Sequence, residues 1–340
     1  MSFIGYKKFV EEGDLVVAYL SRENMTTLIM DSKATYNNKF GTFKHKEMIG
    51  KQYGTKMPSH NGKGFMYLLH PTPELWTQVL PHRTQILYLA DISFITAYLD
   101  LKPGSIVLES GTGSGSISHS FARTIAPHGH LYTFEYHEER AKIARQEFKD
   151  HGLSDLITIE CRDVCKNGFG ITNKVHAVFL DLPAPWDAIP AAKEAFKRTR
   201  MGKICCFSPC IEQVQKTCTS LNENGFVEIK MFECLLRYHE VKTIPIYTVT
   251  DAVASIKTQQ AKKRKRKEQE DGNEISEELI ISSSNNSNRE SANNSSVSSN
   301  SKVKQDAPPN LYVSKTPTET KGHTSYMTFA TYLPVLYDEQ

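Results

Sequence analysis

No apolar run in the 340-residue chain is long enough to cross a bilayer. The longest, residues 86–99 ("ILYLADISFITAYL"), falls short of a span and carries Asp91 in its middle, which predicts a buried helix. The N-terminal stretch "MSFIGYKKFVEEGDL" lacks the charged, apolar and small-residue order of a secretory signal, so a reducing compartment is expected. Seven cysteines, an odd number, include no C-x-x-C pair, and several fall inside apolar strand patterns, so buried free thiols are expected and zinc is not. His82, His119, His128, His130 and His239 show no ligand spacing, and no metal site is expected. A net charge of only +3 makes no case for nucleic-acid binding, which must rest on where the charges sit. Aromatic residues are missing from 248 to 311, and Ser and Asn supply 16 of the 20 residues from 282 to 301. So little apolar surface cannot offset chain entropy, and 256–320 is expected to be disordered.

What the chain does have is a 39% hydrophobic content, enough for a core over most of its length. Six short apolar runs, at 105–110, 130–136, 156–163, 176–182, 203–209 and 226–236, alternate with helical stretches. That alternation predicts an α/β fold with a parallel sheet, and "SYMTFATYL" at 325–333 adds a seventh strand beyond the insertion. "EERAKIARQEF" reads as a helix with Ala141, Ala144 and Phe148 on one face. Residues 1–66 hold short β-prone runs with little helical periodicity and predict a small N-terminal all-β domain. A helical linker region follows at 67–100, then the α/β domain at 101–255 and 321–340, interrupted by the insertion.

The first strand of that sheet runs into "ESGTGSGSISHSF", where Gly111, Gly113 and Gly115 precede a helix starting near Ser116. Glycines there allow close backbone approach to a ligand, and the helix start offers free N–H groups. The G-x-G-x-G spacing differs from the dinucleotide G-x-G-x-x-G, and Glu135 ends the second strand, where it can accept bonds from two ribose hydroxyls. This favours S-adenosylmethionine over NAD. Asp163 and Val164 end the third strand, a polar contact beside an apolar wall for an adenine, although Asp163 equally suits a turn. Asp181 ends the fourth strand, on the ligand side of the sheet, and faces the transferred methyl. Trp186, just beyond "DLPAP", reads first as a packing residue and second as a base-stacking platform. Six consecutive basic residues, Lys262 to Lys267, read as a nuclear localisation signal, as a source of RNA phosphate contacts, or as a solvated charge run.

The segments "ESGTGSGSISH", "TFEYHEERA", "FLDLPAPWDAI" and "CFSPCIEQVQ" together resemble the catalytic subunits of eukaryotic tRNA (adenine-58-N1) methyltransferase, over all but the insertion. The resemblance implies a class I methyltransferase (Rossmann-like) fold and a nuclear heterotetramer with a homologous non-catalytic subunit. It implies that Leu87, Gly111, Thr112, Gly113, Ser114, Gly115, Ser116, Glu135, Arg140, Asp163, Val164 and Asp181 hold S-adenosylmethionine, with Asp181 catalytic. Along the tRNA it implies Lys39, Phe40, Gly64, Phe65, Arg83, Gln85, Pro183, Ser208, Pro209 and His323. One departure is Ala184, where a serine is expected in "DLPAPW". Two rivals are a non-catalytic tRNA-binding subunit, which would be expected to have lost the glycine loop and the strand-end Asp, and a nucleotide-dependent oxidoreductase, which the glycine spacing disfavours.

Overall fold

A computed structural model of the chain describes residues 3, 5–236, 239–246, 249, 253, 256, 310–315 and 325–334. The basic run at 262–267 and His323 therefore lie outside the described residues. Near the N-terminus, β1 (Leu15–Ser21) and β2 (Asn24–Ile29) form a hairpin, and β3 (Thr35–Asn38) and β4 (Gly41–Lys44) a second one. After the short α1 (His45–Met48), β5 (Lys56–Pro58) and β6 (Phe65–Leu69) complete a four-stranded antiparallel sheet of order β2-β1-β6-β5. The period-2 pattern of strands shows in its core: Val16 and Ala18 of β1 and Met66 and Leu68 of β6 all face Leu28, Phe43 and Met57. The region is β-rich with one helical turn, and β6 runs to Leu69, past the expected boundary at 66.

Two helices follow. In α2 (Pro73–Val79) the Thr72 hydroxyl accepts from Leu75 N at 3.3 Å and Pro73 takes the first turn, where a missing N–H costs nothing. The second, α3 (Leu89–Tyr98), corrects the expectation of a buried helix. Only Ile92 and Ile95 are fully buried within it, while Leu89 is exposed, so the helix packs by one stripe.

The large sheet contains β7 (Ile106–Ser110), β8 (His130–Glu135), β9 (Ile157–Cys161), β10 (Ala177–Leu180), β11 (Gly202–Ser208) and β12 (Val227–Phe232). Between them run α4 (Ser116–Ile125), α5 (Glu138–Asp150), α6 (Val164–Asn167), α7 (Pro185–Ala195) and α8 (Ile211–Glu223). Next come β13 (Glu240–Pro245) and β14 (Asn310–Lys315), which pair with each other antiparallel, and finally β15 (Tyr326–Tyr332). Asn310–Lys315 lies inside the segment expected to be disordered, so that expectation fails there: Tyr312 and Val313 carry the β-prone character that pairs with Thr243 and Lys242.

Strand order is β12-β15-β11-β10-β7-β8-β9, with β15 antiparallel to both neighbours and the rest parallel, which is the seven-stranded α/β sheet the sequence predicts. The central strands read as near-continuous apolar runs because both faces are covered. On one side Val107, Leu131, Phe179 and Phe329 pack under Trp76, Ile92, Phe121 and Ala144; on the other Leu108, Val178, Ile204 and Ala330 pack under Ile189, Ala192 and Leu221. From β7 the chain moves outward to β8 and β9, then returns to β10 on the opposite side of β7. The loops after β7 and β10 diverge at that reversal and open a crevice at the carboxyl ends of the strands.

Candidate active site

Four loops meet at this crevice, those after β7, β8, β9 and β10, and they line a cavity of about 700 Å³. Gly111 leaves β7 with φ +94°, and a Cβ there would collide with the carbonyl oxygen of Asp181. Only glycine allows the two loops to lie this close. Gly113 is also constrained, with φ +53° and a Cβ that would stand 2.6 Å from Thr84 Oγ1, although there the obstacle is a side chain. The strand ends are tied by Asp181 N donating to Ser110 O at 2.9 Å.

Three carboxyl groups gather beneath and beside the glycine loop. Glu135, almost fully buried, accepts from Gly113 N at 2.9 Å through Oε2, while Oε1 accepts from His137 N and from Arg140 Nε and Nη2 at 3.0, 3.0 and 2.7 Å. Arg140 thus forms a two-pronged pair with Glu135 Oε1, and Oε2 retains a lone pair for a further donor. Asp181 has no such support: its carboxyl receives no hydrogen bond from the described residues. Burial, and secondarily the Glu135 carboxylate, push it up to about 7. Glu109 lies inside β7, fully buried, and burial pushes it up to about 8. The sequence reading gave Glu109 no role of its own, although its place in an otherwise apolar strand was a signal.

The family model described as "tRNA methyltransferase complex GCD14 subunit" matches residues 64–332. The chain belongs to this family. Among curated relatives, a tRNA (adenine(58)-N(1))-methyltransferase catalytic subunit of Candida albicans is 42% identical, over 98% of this chain and 99% of that one. The corresponding subunit of Dictyostelium discoideum is 47% identical over 96% and 98%. Among solved structures, a SAM-dependent O-methyltransferase from Thermotoga maritima shares the fold, with TM-score 0.68 and 24% identity over 96% of this chain and 95% of that one. So does the tRNA (m1A58) methyltransferase TrmI from Aquifex aeolicus, with TM-score 0.63 and 21% identity over 96% and 99%. The class I methyltransferase fold is thus that of the chain.

In this family member Gly111, Gly113, Glu135, Arg140, Asp163, Val164 and Asp181 all line the one cavity, with Gln85, Pro183 and Pro209 of the expected substrate residues. Asp163 also caps α6 by accepting from Lys166 N at 3.3 Å, so it serves the turn as well. Side chains of the serines and threonine in the glycine loop point inward. Thr112 bonds Thr133 at 2.6 Å, Ser114 Oγ accepts from Arg83 N and Thr84 N at 3.0 and 3.2 Å, and Ser116 Oγ donates to Leu87 O at 3.1 Å. These bonds fasten residues 83–87 over the loop, so only main-chain groups of Thr112, Ser114 and Ser116 remain to meet a ligand. Gly115 sits at the N-cap of α4 in the left-handed conformation, and Leu87 is buried.

Arg83, expected along the tRNA, directs its guanidinium into a bidentate pair with Glu147 of α5, at 2.6 and 2.9 Å. Ser208, also expected along the tRNA, is fully buried at the end of β11. Lys39, Phe40, Gly64 and Phe65 do come together, away from the cavity. A Cβ on Gly64 would stand 2.5 Å from Phe40 Cβ, Lys39 Nζ lies 5.1 Å from the Phe40 ring, and Lys56 Nζ lies 3.8 Å over Phe65. Trp186 sits in the first turn of α7 with Lys216 of α8 4.9 Å over its ring and Ser220 Oγ donating to its carbonyl, which favours packing over base stacking. His119 is structural: its Nδ1 donates to Gly115 O at 2.6 Å, its Nε2 accepts from His151, and burial pushes it down to about 3.

Proposed function

We propose that the chain is the catalytic subunit of a tRNA (adenine(58)-N(1))-methyltransferase, with Asp181 as the residue that acts on the target base. The observation that carries this reading is Asp181 on the wall of the cavity at the reversal point beside the glycine loop, its carboxyl without a hydrogen bond from the described residues. Relatives that match almost the whole chain at 42% and 47% identity bear that activity in their names. S-adenosylmethionine, when bound, supplies a methyl on a positively charged sulfur. The residues present fit it: Gly111 lets the glycine loop lie against the Asp181 turn on the cavity wall, Glu135 Oε2 retains an acceptor for a ribose hydroxyl, and Asp163 and Val164 offer a polar edge beside an apolar wall.

Adenine N1 is an acceptor and its N6 amine a donor, so Asp181 accepting from N6–H raises electron density at N1. Methylation leaves the base cationic, and Asp181 offsets that charge or takes up the N6 proton. A carboxyl held near 7 is a better proton acceptor than an ordinary one, half ionised at neutrality and ionised above it. The base must leave its stack to reach the cavity. The Lys39, Phe40 and Phe65 patch, with Lys56, suits the rest of the RNA, cations for phosphate and rings for unstacked bases.

A homologous non-catalytic subunit would complete a heterotetramer, a reading supported by the family description, which names a complex; light scattering of the assembled mass tests it. The basic run at 262–267 would direct the chain to the nucleus, and a chain with that run replaced by alanine would then stay in the cytoplasm. Mass spectrometry of nucleosides from tRNA incubated with the chain, alone and with the homologous subunit, tests the activity. No 1-methyladenosine in either sample contradicts it.

A further inference from the structure

We propose that Gln213 is a positioning residue that clamps the turn after Asp181 and so sets the aim of its carboxylate. The inference rests on the role given to Asp181 above. β10 and β11 are parallel neighbours, with Leu180 opposite Cys206. Beyond them the chain makes two turns on the cavity wall, 181–184 leading into α7 and 209–210 leading into α8. Gln213, in the first turn of α8, joins the two. Its Oε1 accepts from Cys210 N at 3.1 Å, and its Nε2 donates to Pro183 O at 2.9 Å. A main-chain N–H only donates and a main-chain carbonyl only accepts, so the pair of bonds fixes the amide in one orientation and requires both a donor and an acceptor at one side-chain end.

Asp181 makes this clamp consequential. Since no described residue holds its carboxyl directly, the direction of the side chain follows from the main chain that carries it. That main chain is pinned on one side by Asp181 N bonding to Ser110 O, and on the other by the Gln213 bond to Pro183 O. Gln213 itself lines the cavity, so the clamp stands at the wall the target base must pass. A purely structural role is the alternative, because the same side chain closes a capping box with Cys210 at the start of α8.

Gln213→Glu separates the two. A glutamate at this helix position keeps the bond to Cys210 N and suits the helix dipole, but it loses the donor and sets a carboxylate oxygen against the Pro183 carbonyl. In the full chain with its partner subunit, the variant is expected to lower kcat on tRNA by about tenfold or more, as a small misplacement of a reacting group does. KM for tRNA and the affinity for S-adenosylmethionine should stay within about twofold and Tm should not fall, because the cap is kept. Hydrogen exchange should quicken in peptides covering 182–189 and stay unchanged over 106–116. A kcat within about twofold of wild type, or unchanged exchange at 182–189, overturns the proposal. Should the wild-type complex form no 1-methyladenosine, the assigned activity falls, and exchange alone still decides whether the clamp exists.

Discussion

Replacing Glu109 by glutamine should reshape the pH dependence of stability, and the reason lies in a single buried proton. Both carboxyl oxygens stand 2.9 and 2.8 Å from Ser118 Oγ, an arrangement in which a neutral acid and the serine hydroxyl can each donate once. Burial is the largest influence raising this group from its usual 4.5 to about 8; bonds from Ser118 and Thr133 oppose it, and the Asp181 and Glu135 carboxylates add to it. The folded pKa is above the unfolded one, so the stabilisation is complete below about pH 4 and is lost as pH rises through about 8. At about 1.4 kcal/mol per pH unit the whole effect is on the order of 5 kcal/mol. Glutamine has nearly the same shape and no proton to lose. Urea unfolding of both proteins at pH 5, 7 and 9 cancels, in the difference, the titrating groups that do not interact with Glu109. The difference should move in favour of Glu109→Gln by about 4 kcal/mol between pH 5 and pH 9. Parallel stability curves would refute the buried neutral acid.

Arg83→Ala should destabilise the protein by about 2 to 3 kcal/mol, because it strands Glu147 in a half-buried place, while leaving RNA affinity within about twofold. Denaturant midpoints and a filter-binding titration check this, and a large loss of RNA affinity with no change in stability would restore Arg83 as an RNA contact. Gly111→Ala drives a Cβ into the Asp181 carbonyl at a φ of +94°, so affinity for S-adenosylmethionine by calorimetry should fall by about tenfold or more. An affinity equal to wild type would show that the two loops can separate without harm to the site.

The central strands of the large sheet were legible because they are short, nearly continuous apolar runs, the mark of a strand covered on both faces. The glycine loop, Glu135 and Asp181 were legible because chemistry at strand ends is local in sequence. The contacts that build the site from distant segments were not. Arg83 meets Glu147 across 64 positions, and nothing in the pattern around either residue distinguishes a buried pair from two surface charges. Residues 83–87 were expected to meet the cofactor and the tRNA, and nothing in their pattern showed that Ser114 and Ser116 bind them over the glycine loop. The resemblance placed Thr112, Ser114 and Ser116 at the cofactor, whereas inward packing takes their side chains. The Asn310–Lys315 strand was missed because its composition was averaged with the Ser- and Asn-rich stretch before it.

Turnover of Asp181→Asn with its partner subunit on tRNA measures the central claim most directly. The substitution keeps the size of the side chain and removes its negative charge, so S-adenosylmethionine should bind within a few-fold of wild type. Formation of 1-methyladenosine should fall by about 100-fold or more, the usual worth of a placed proton acceptor. The wild-type rate should decline as pH drops through about 7, where the Asp181 carboxylate takes up its proton. A variant within a few-fold of wild-type turnover would contradict the account.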